Sequence, residues 1–130
     1  MKGMVGPIDI LEPGGDLIVA SACAEGMGST PYIDAQRRLV ALGADGFASS
    51  LAGKGHADID EWQTQMQLKP MRVGRVRLYT DGLDAVEGTL TGVERVTDLA
   101  AAIAESMARH RDPCVAFVPE GPYVVPRHCP

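Results

Sequence analysis

The sequence predicts an α/β fold: a layered α/β/α domain with a mostly parallel sheet. Three observations carry this. Leu17 to Cys23 and Cys114 to Val118 are nearly continuous apolar runs, and a run of that length bounded by turn residues reads as a strand buried on both faces. Helical pattern lies next to each strand. The pieces follow in the order strand, helix, helix, strand, helix, strand, which calls for right-handed crossover connections.

Pro13, Gly14 and Gly15 make the turn before the first strand. Glu25-Gly26-Met27-Gly28-Ser29 is a glycine-bearing loop after it. Ser29 or Thr30 caps the next helix, with Pro31 at its first position. That helix runs to about Leu42 and ends at Gly43, with Tyr32, Ala35 and Leu39 on one face. Ala44 to Ala57 is rich in Gly, Ala and Ser and reads as a loop with one helical turn around Phe47 to Leu51. Asp58 to Glu61 has the spacing of a capping box. The helix it starts puts Ile59, Trp62 and Met66 on one stripe and stops at Pro70. Val73 to Tyr79 alternates, with Val76 and Leu78 opposite Arg75, Arg77 and Tyr79, so it reads as a half-exposed strand. Asp84 to Arg95 holds Gly88 and Gly92 and has no regular pattern. Thr97 caps an amphipathic helix bearing Leu99, Ala100, Ile103, Ala104 and Met107. Asp98 in its first turn and Arg109, His110 and Arg111 at its end suit the helix dipole. Cys114 to Val118 is the last strand, broken by Pro119-Glu120-Gly121-Pro122.

At 130 residues the chain has the size of one domain, with a core that needs neither disulfide nor metal. Apolar residues make up 45% and charged residues 22%, which excludes wholesale disorder. The 17 acids against 12 Lys and Arg, a net charge of −5, disfavour nucleic acid as a partner. No apolar run approaches the ~18 residues of a membrane span. MKGMVGPIDILEPGG has no signal-peptide core, so a cytoplasmic location is expected. Cys23, Cys114 and Cys129 form no CxxC pair and read as three reduced thiols.

Few residues have the spacing that chemistry needs. The free N–H groups of a helix start suit an anion, which makes Gly26, Gly28 and Ser29 a candidate anion-binding loop. Their spacing is neither G-x-G-x-x-G nor a Walker loop, and Glu25 adds a negative charge, so a tight strand-to-helix turn is the plainer reading. Gly53-Lys54-Gly55-His56 offers one phosphate wrap or one ligand, against the plainer reading of a surface loop. His110 suits a helix end, and His128 with Cys129 a loose terminus. No two His share ligand spacing, so no metal site and no catalytic set is expected on this chain. Trp62, the one Trp, sits on a helix of Gln residues, which favours partial exposure with its N–H toward a cleft.

Taken in order, the motifs resemble the C-terminal domain of the nickel-dependent lactate racemase family. The resemblance rests on Lys2-Gly3-Met4, the Gly14-Gly15 turn before an apolar strand, and Glu25-Gly26-Met27-Gly28. Trp62-Gln63-Thr64-Gln65, Thr80-Asp81 and Pro119-Glu120-Gly121-Pro122 continue it. It covers nearly the whole chain. It implies a two-domain enzyme whose larger N-terminal domain, not within these 130 residues, carries a nickel-pincer nucleotide and the catalytic His residues. In the family, hydride leaves C2 of a 2-hydroxy acid for the cofactor while a His takes the hydroxyl proton, and the keto acid is reduced on either face. The second domain closes the site. By motif, substrate binding carries to Lys2 and Trp62. The Gln that the family places three residues before the Lys falls before Met1.

An ammonium such as that of Lys2 pairs with a substrate carboxylate as a point charge, and an indole shuts out water. The resemblance thus implies a lactate racemase-like 2-hydroxy acid isomerase whose partners are this chain's own N-terminal domain and the acid. The isolated chain is expected to be inactive and to bind no cofactor alone; a homo-oligomer stays open. The alternatives are a non-catalytic anion-binding module, with the loop from Glu25 to Ser29 as its site, and a structural or dimerisation domain.

Overall fold

The computed structural model describes residues 2–128; Cys129 lies outside them. Short helix α1 (Lys2–Val5) and a 3-10 turn (Gly6–Ile10) lead into β1 (Asp16–Ala20). Helices α2 (Thr30–Ala52) and α3 (Glu61–Val73) follow, then β2 (Arg75–Tyr79), α4 (Ala85–Leu90), β3 (Glu94–Val96) and α5 (Leu99–His110). The three strands pair in parallel in the order β1-β2-β3, with Leu17 opposite Val76 and Val19 opposite Leu78. The α/β/α layering is as the sequence predicts. Among the described residues no helix is long and apolar enough to cross a membrane.

Strand alternation sorts the two faces of the sheet. Leu17, Val19, Val76 and Leu78 point to one side, where they pack with Met4 of α1, Leu83, and Met71 of α3. A second cluster of Ala35, Leu39, Phe47 and Leu68 joins α2 to α3. Gly43, with φ 70° and ψ 174°, breaks α2 where the sequence predicts its end. The chain then resumes helix, so the predicted loop is a second helical limb that seats Phe47 in this cluster.

The opposite face is charged. Arg77 is fully buried there, although β2 reads as a half-exposed strand. A central parallel strand is covered on both sides, and the guanidinium supplies its own partners. It donates to the Ala102 carbonyl at 2.9 Å and to Glu105 at 2.8 Å, and lies 3.5 Å from Asp16. Arg109 reaches the same Asp16 at 2.7 Å. Burial pushes the Asp16 carboxyl up, but Ser106 and the charges of Arg109, Arg77 and His110 outweigh it and hold its pKa below the ordinary value. These contacts bind α5 to the sheet.

Other expectations fail for local reasons. Pro70 lies inside α3, buried, and the helix runs on to Val73. Asp98, not Thr97, caps α5, its carboxylate accepting from the Ala101 N–H at 2.9 Å. Ala102 is the buried residue of that helix, while Ala100 and Ala104 are exposed. The irregular stretch after Asp84 holds α4, capped by a reciprocal Asp84–Glu87 box, and the short β3. Cys114 to Val118 is not a strand. It pairs with no strand of the sheet, and Phe117 is 86% exposed.

The Arg77 contacts give a first prediction. Arg77→Ala strands the Asp16 carboxylate among one fewer cation and should cost about 3–5 kcal/mol in urea denaturation, as loss of one member of a buried pair does. A wild-type midpoint would show that α5 is held by something else.

Candidate functional site

The glycine loop is built as the sequence predicts. Gly26 (φ 64°) and Gly28 (φ 94°) hold left-handed conformations that side chains resist, and Gly26 donates to the Cys23 carbonyl at 2.9 Å to close the turn. Ser29 is the N-cap of α2, its hydroxyl oxygen accepting from the Tyr32 N–H at 3.3 Å. The same hydroxyl donates to the Asp60 carboxylate at 2.6 Å. Glu87 lies against Gly26, where an added Cβ would stand 3.0 Å from its Oε1. The loop therefore has carboxylates of this chain at both of its ends.

The loop links the other two predicted residues. Through Ser29 and Asp60 it is bonded to the start of α3, two residues before Trp62. Through Cys23 and Met27 it packs on the apolar cluster that holds Met4, two residues after Lys2. Lys2 is exposed on α1 and forms no ion pair with the described residues. Trp62 is 56% exposed.

What fixes Trp62 is its neighbour. Glu61 is 2% exposed, although it opens a helix at the domain surface. Its carboxylate accepts from Arg38 at 2.6 Å, from Lys54 at 2.9 and 3.0 Å, and from the Asp58 N–H at 3.1 Å. Half of the predicted capping box is thus present. The other half is not, because the Asp58 side chain turns to Lys54 and the N-cap position falls to Asp60, in the left-handed region at φ 62°. Asp tolerates that conformation better than most residues. Burial pushes the Glu61 carboxyl up, but Lys54, the Asp58 N–H and Arg38 outweigh it and lower its pKa from 4.5 to about 2. Arg38 is seated in turn over the Phe47 ring, 5.2 Å from its centroid, and bonds Ser50.

Consequently α3 turns a polar face inward. Glu61, Thr64 and Gln67 are buried, and Gln67 bridges Gln36 of α2 to the Thr91 carbonyl, each at 2.7 Å. The predicted stripe of Ile59, Trp62 and Met66 faces out instead: Ile59 is 76% exposed and Met66 half-buried. Lys54, read from sequence as part of a surface loop, is a structural cation. The signal that could have found it is the close succession of Lys54, Asp58 and Glu61 after a helix bearing Arg38.

The Gly53–Ala57 loop and the first turns of α3 enclose a groove of about 220 Å³, lined by Leu51, Lys54, His56, Glu61, Trp62 and Gln65 among others. Among the described residues no three His, Cys, Asp or Glu side chains are grouped to hold a metal ion. No family model matches the chain, and no curated protein matches it.

The lowered Glu61 pKa fixes a pH dependence. A carboxylate whose folded pKa is depressed contributes stability that is present above its unfolded pKa and lost as pH falls through the folded one. The contribution should be complete above about pH 5 and decline between 4.5 and 2. In urea midpoints measured across that window, Glu61→Gln should lower stability at neutral pH and flatten the acid limb. A wild-type slope in the variant would remove Glu61 from this role.

Proposed function

We propose that this chain is the second domain of a lactate racemase-like enzyme, closing over a 2-hydroxy acid that Lys2 and Trp62 help to hold. The observation that carries the reading is the placement of Trp62. A large apolar side chain stands mostly exposed on a helix whose start is locked by Arg38, Lys54 and the Asp58 N–H converging on Glu61. A helix pinned that firmly presents the indole in a fixed direction, which suits a wall against water. The substrate carboxylate falls to Lys2, whose ammonium is unpaired among the described residues, rather than to the glycine loop with its flanking Asp60 and Glu87. Among the described residues no group of His, Cys, Asp or Glu is placed to hold nickel; in this reading the preceding domain holds the nickel-pincer nucleotide, and no step is derived through it.

Val115, Phe117, Tyr123 and Val125, each more than half exposed within eleven residues of one another in the chain, support a docked partner. The same exposed residues favour the second reading, an interaction domain with no part in chemistry. Kinetics of the two-domain enzyme separate the two. Trp62→Ala should cost under about 1 kcal/mol of stability, since the ring is not core, while lowering kcat/KM at least tenfold. Lys2→Ala should weaken transition-state binding by about 2–4 kcal/mol and leave folding intact. Wild-type kinetics in both variants would leave only the interaction domain.

A further inference from the structure

The sheet ends on two unequal edges. β3 has three residues, and Glu94 and Arg95 blunt it with charge. β1 has five residues, paired in unbroken register with β2, and carries no Lys, Pro or bulge. The Ser21 N–H donates to the Tyr79 carbonyl at 3.0 Å and the Gly15 carbonyl accepts from the Arg75 N–H at 2.9 Å, so residues 15, 17, 19 and 21 face β2. The backbone N–H and C=O groups of Asp16, Ile18 and Ala20 therefore point away from it, and no hydrogen bond among the described residues reaches them from that side. Such a row is a template for a further strand. The layer above this edge is unfinished as well. Helix α5 bonds Asp16 of β1 and Arg77 of β2, so it lies over those two strands. Its apolar positions Leu99, Ile103 and Met107 recur every four residues and are half-buried, and so is Ile18. None of these four belongs to either apolar cluster.

We propose that the β1 edge and α5 together form the contact surface for a second copy of this chain. The edge is complementary to itself. With a twofold axis at Ile18 the two strands run antiparallel, Ile18 meets Ile18 of the copy, and each Asp16 meets an Ala20. Every outward N–H and C=O of both edges then has a partner, and the two Asp16 carboxylates stand at opposite ends. The same axis places both α5 helices on one face, about 10 Å apart by strand spacing, which is a helix-packing distance. Arg77 lies level with Ile18 in the ladder and bonds the Ala102 carbonyl, which brings the adjacent Ile103 to the level of the axis. The helices run antiparallel, so Arg109, His110 and Arg111 at the end of one lie toward Asp98 at the start of the other. A foreign peptide strand would pair with the edge but bring no helix to cover Leu99, Ile103 and Met107. The pairing uses neither Lys2 nor Trp62, and it stands or falls apart from the function proposed above.

Sedimentation equilibrium of the 130-residue chain, with amide exchange followed by NMR, tests the pairing. The chain should form a dimer in which the Ile18 and Ala20 amides exchange slowly. Ile103→Glu sets like charges together at the axis and should weaken the dimer at least about tenfold, and an equimolar mixture of Ile103→Glu and Ile103→Lys chains should restore it. Ile18→Pro removes an N–H that β2 does not use, so the circular dichroism should stay that of the parent chain while the dimer is lost. A chain that stays monomeric up to about 1 mM overturns the proposal. A dimer that Ile103→Glu and Ile18→Pro both leave unchanged overturns it by placing association elsewhere, and so does a mixture of the two Ile103 variants that fails to associate. Slow Ile18 and Ala20 amides in a monomer would overturn it as well, and would give the edge to the chain's own segment from Cys114 to Val118.

Discussion

The buried carboxylate of Glu61 is the constraint on which the candidate site depends. An isolated charge in that position would be expelled or neutralised. It stays because Arg38 from α2, Lys54 from the loop and the Asp58 N–H all converge on it. Each of these contacts has a second effect. Arg38 is pressed onto Phe47, so the second limb of α2 is tied to the charge. Lys54 draws the Gly53–Ala57 loop against α3 and so forms one wall of the groove. The N–H of Asp58 sets where α3 can start, which leaves Asp60 in a left-handed conformation and free to accept from Ser29. The glycine loop, the groove and the direction of Trp62 thus share one origin.

The sheet rests on a similar device. Among the described residues Arg77 is the largest fully buried side chain, and it is polar. Apolar packing covers only one face of the three strands; the other is held to α5 through Asp16, Glu105 and a backbone carbonyl. Such ion pairs are poor sources of net stability, because desolvation offsets most of their attraction, but they are costly to leave half made. They therefore fix register and orientation more than they add strength.

These two networks also explain what could be read in the sequence. The class of fold was legible, because apolar runs and capping residues are local signals: Ser29 caps α2, and Gly43 interrupts it where expected. The buried charges were not legible. Alternation in β2 marks Arg77 as facing away from Val76, and only the packing of α5 shows that this other face is closed. Likewise Glu61 carries the spacing of a capping residue, and only Arg38 and Lys54, distant in sequence, make it a core residue. Cys114 to Val118 misled in the opposite sense. Its composition is that of a buried strand, but strand identity needs a neighbour to pair with, and composition does not report one. For the site, the sequence marked Lys2, Trp62 and the glycine loop. It set Trp62 toward a cleft and singled out Gly53 to His56, but not that this loop and α3 meet to form one groove.

The charged face of the sheet also bears on the order in which the molecule assembles. The partners Asp16, Arg77, Glu105 and Arg109 lie far apart in the chain, and Asp16 and Arg109 close a loop of most of its length. Closing such loops costs chain entropy before any contact repays it. The α2–α3 cluster, by contrast, is made from neighbouring segments. On this ground α5 is expected to dock after the strands are in register. The exposed segment that follows it is held at its far end as well, where Gly121–Tyr123 packs on α1 and on the turn at Gly6, so undocking α5 leaves a tethered loop that carries Phe117 and not a free tail.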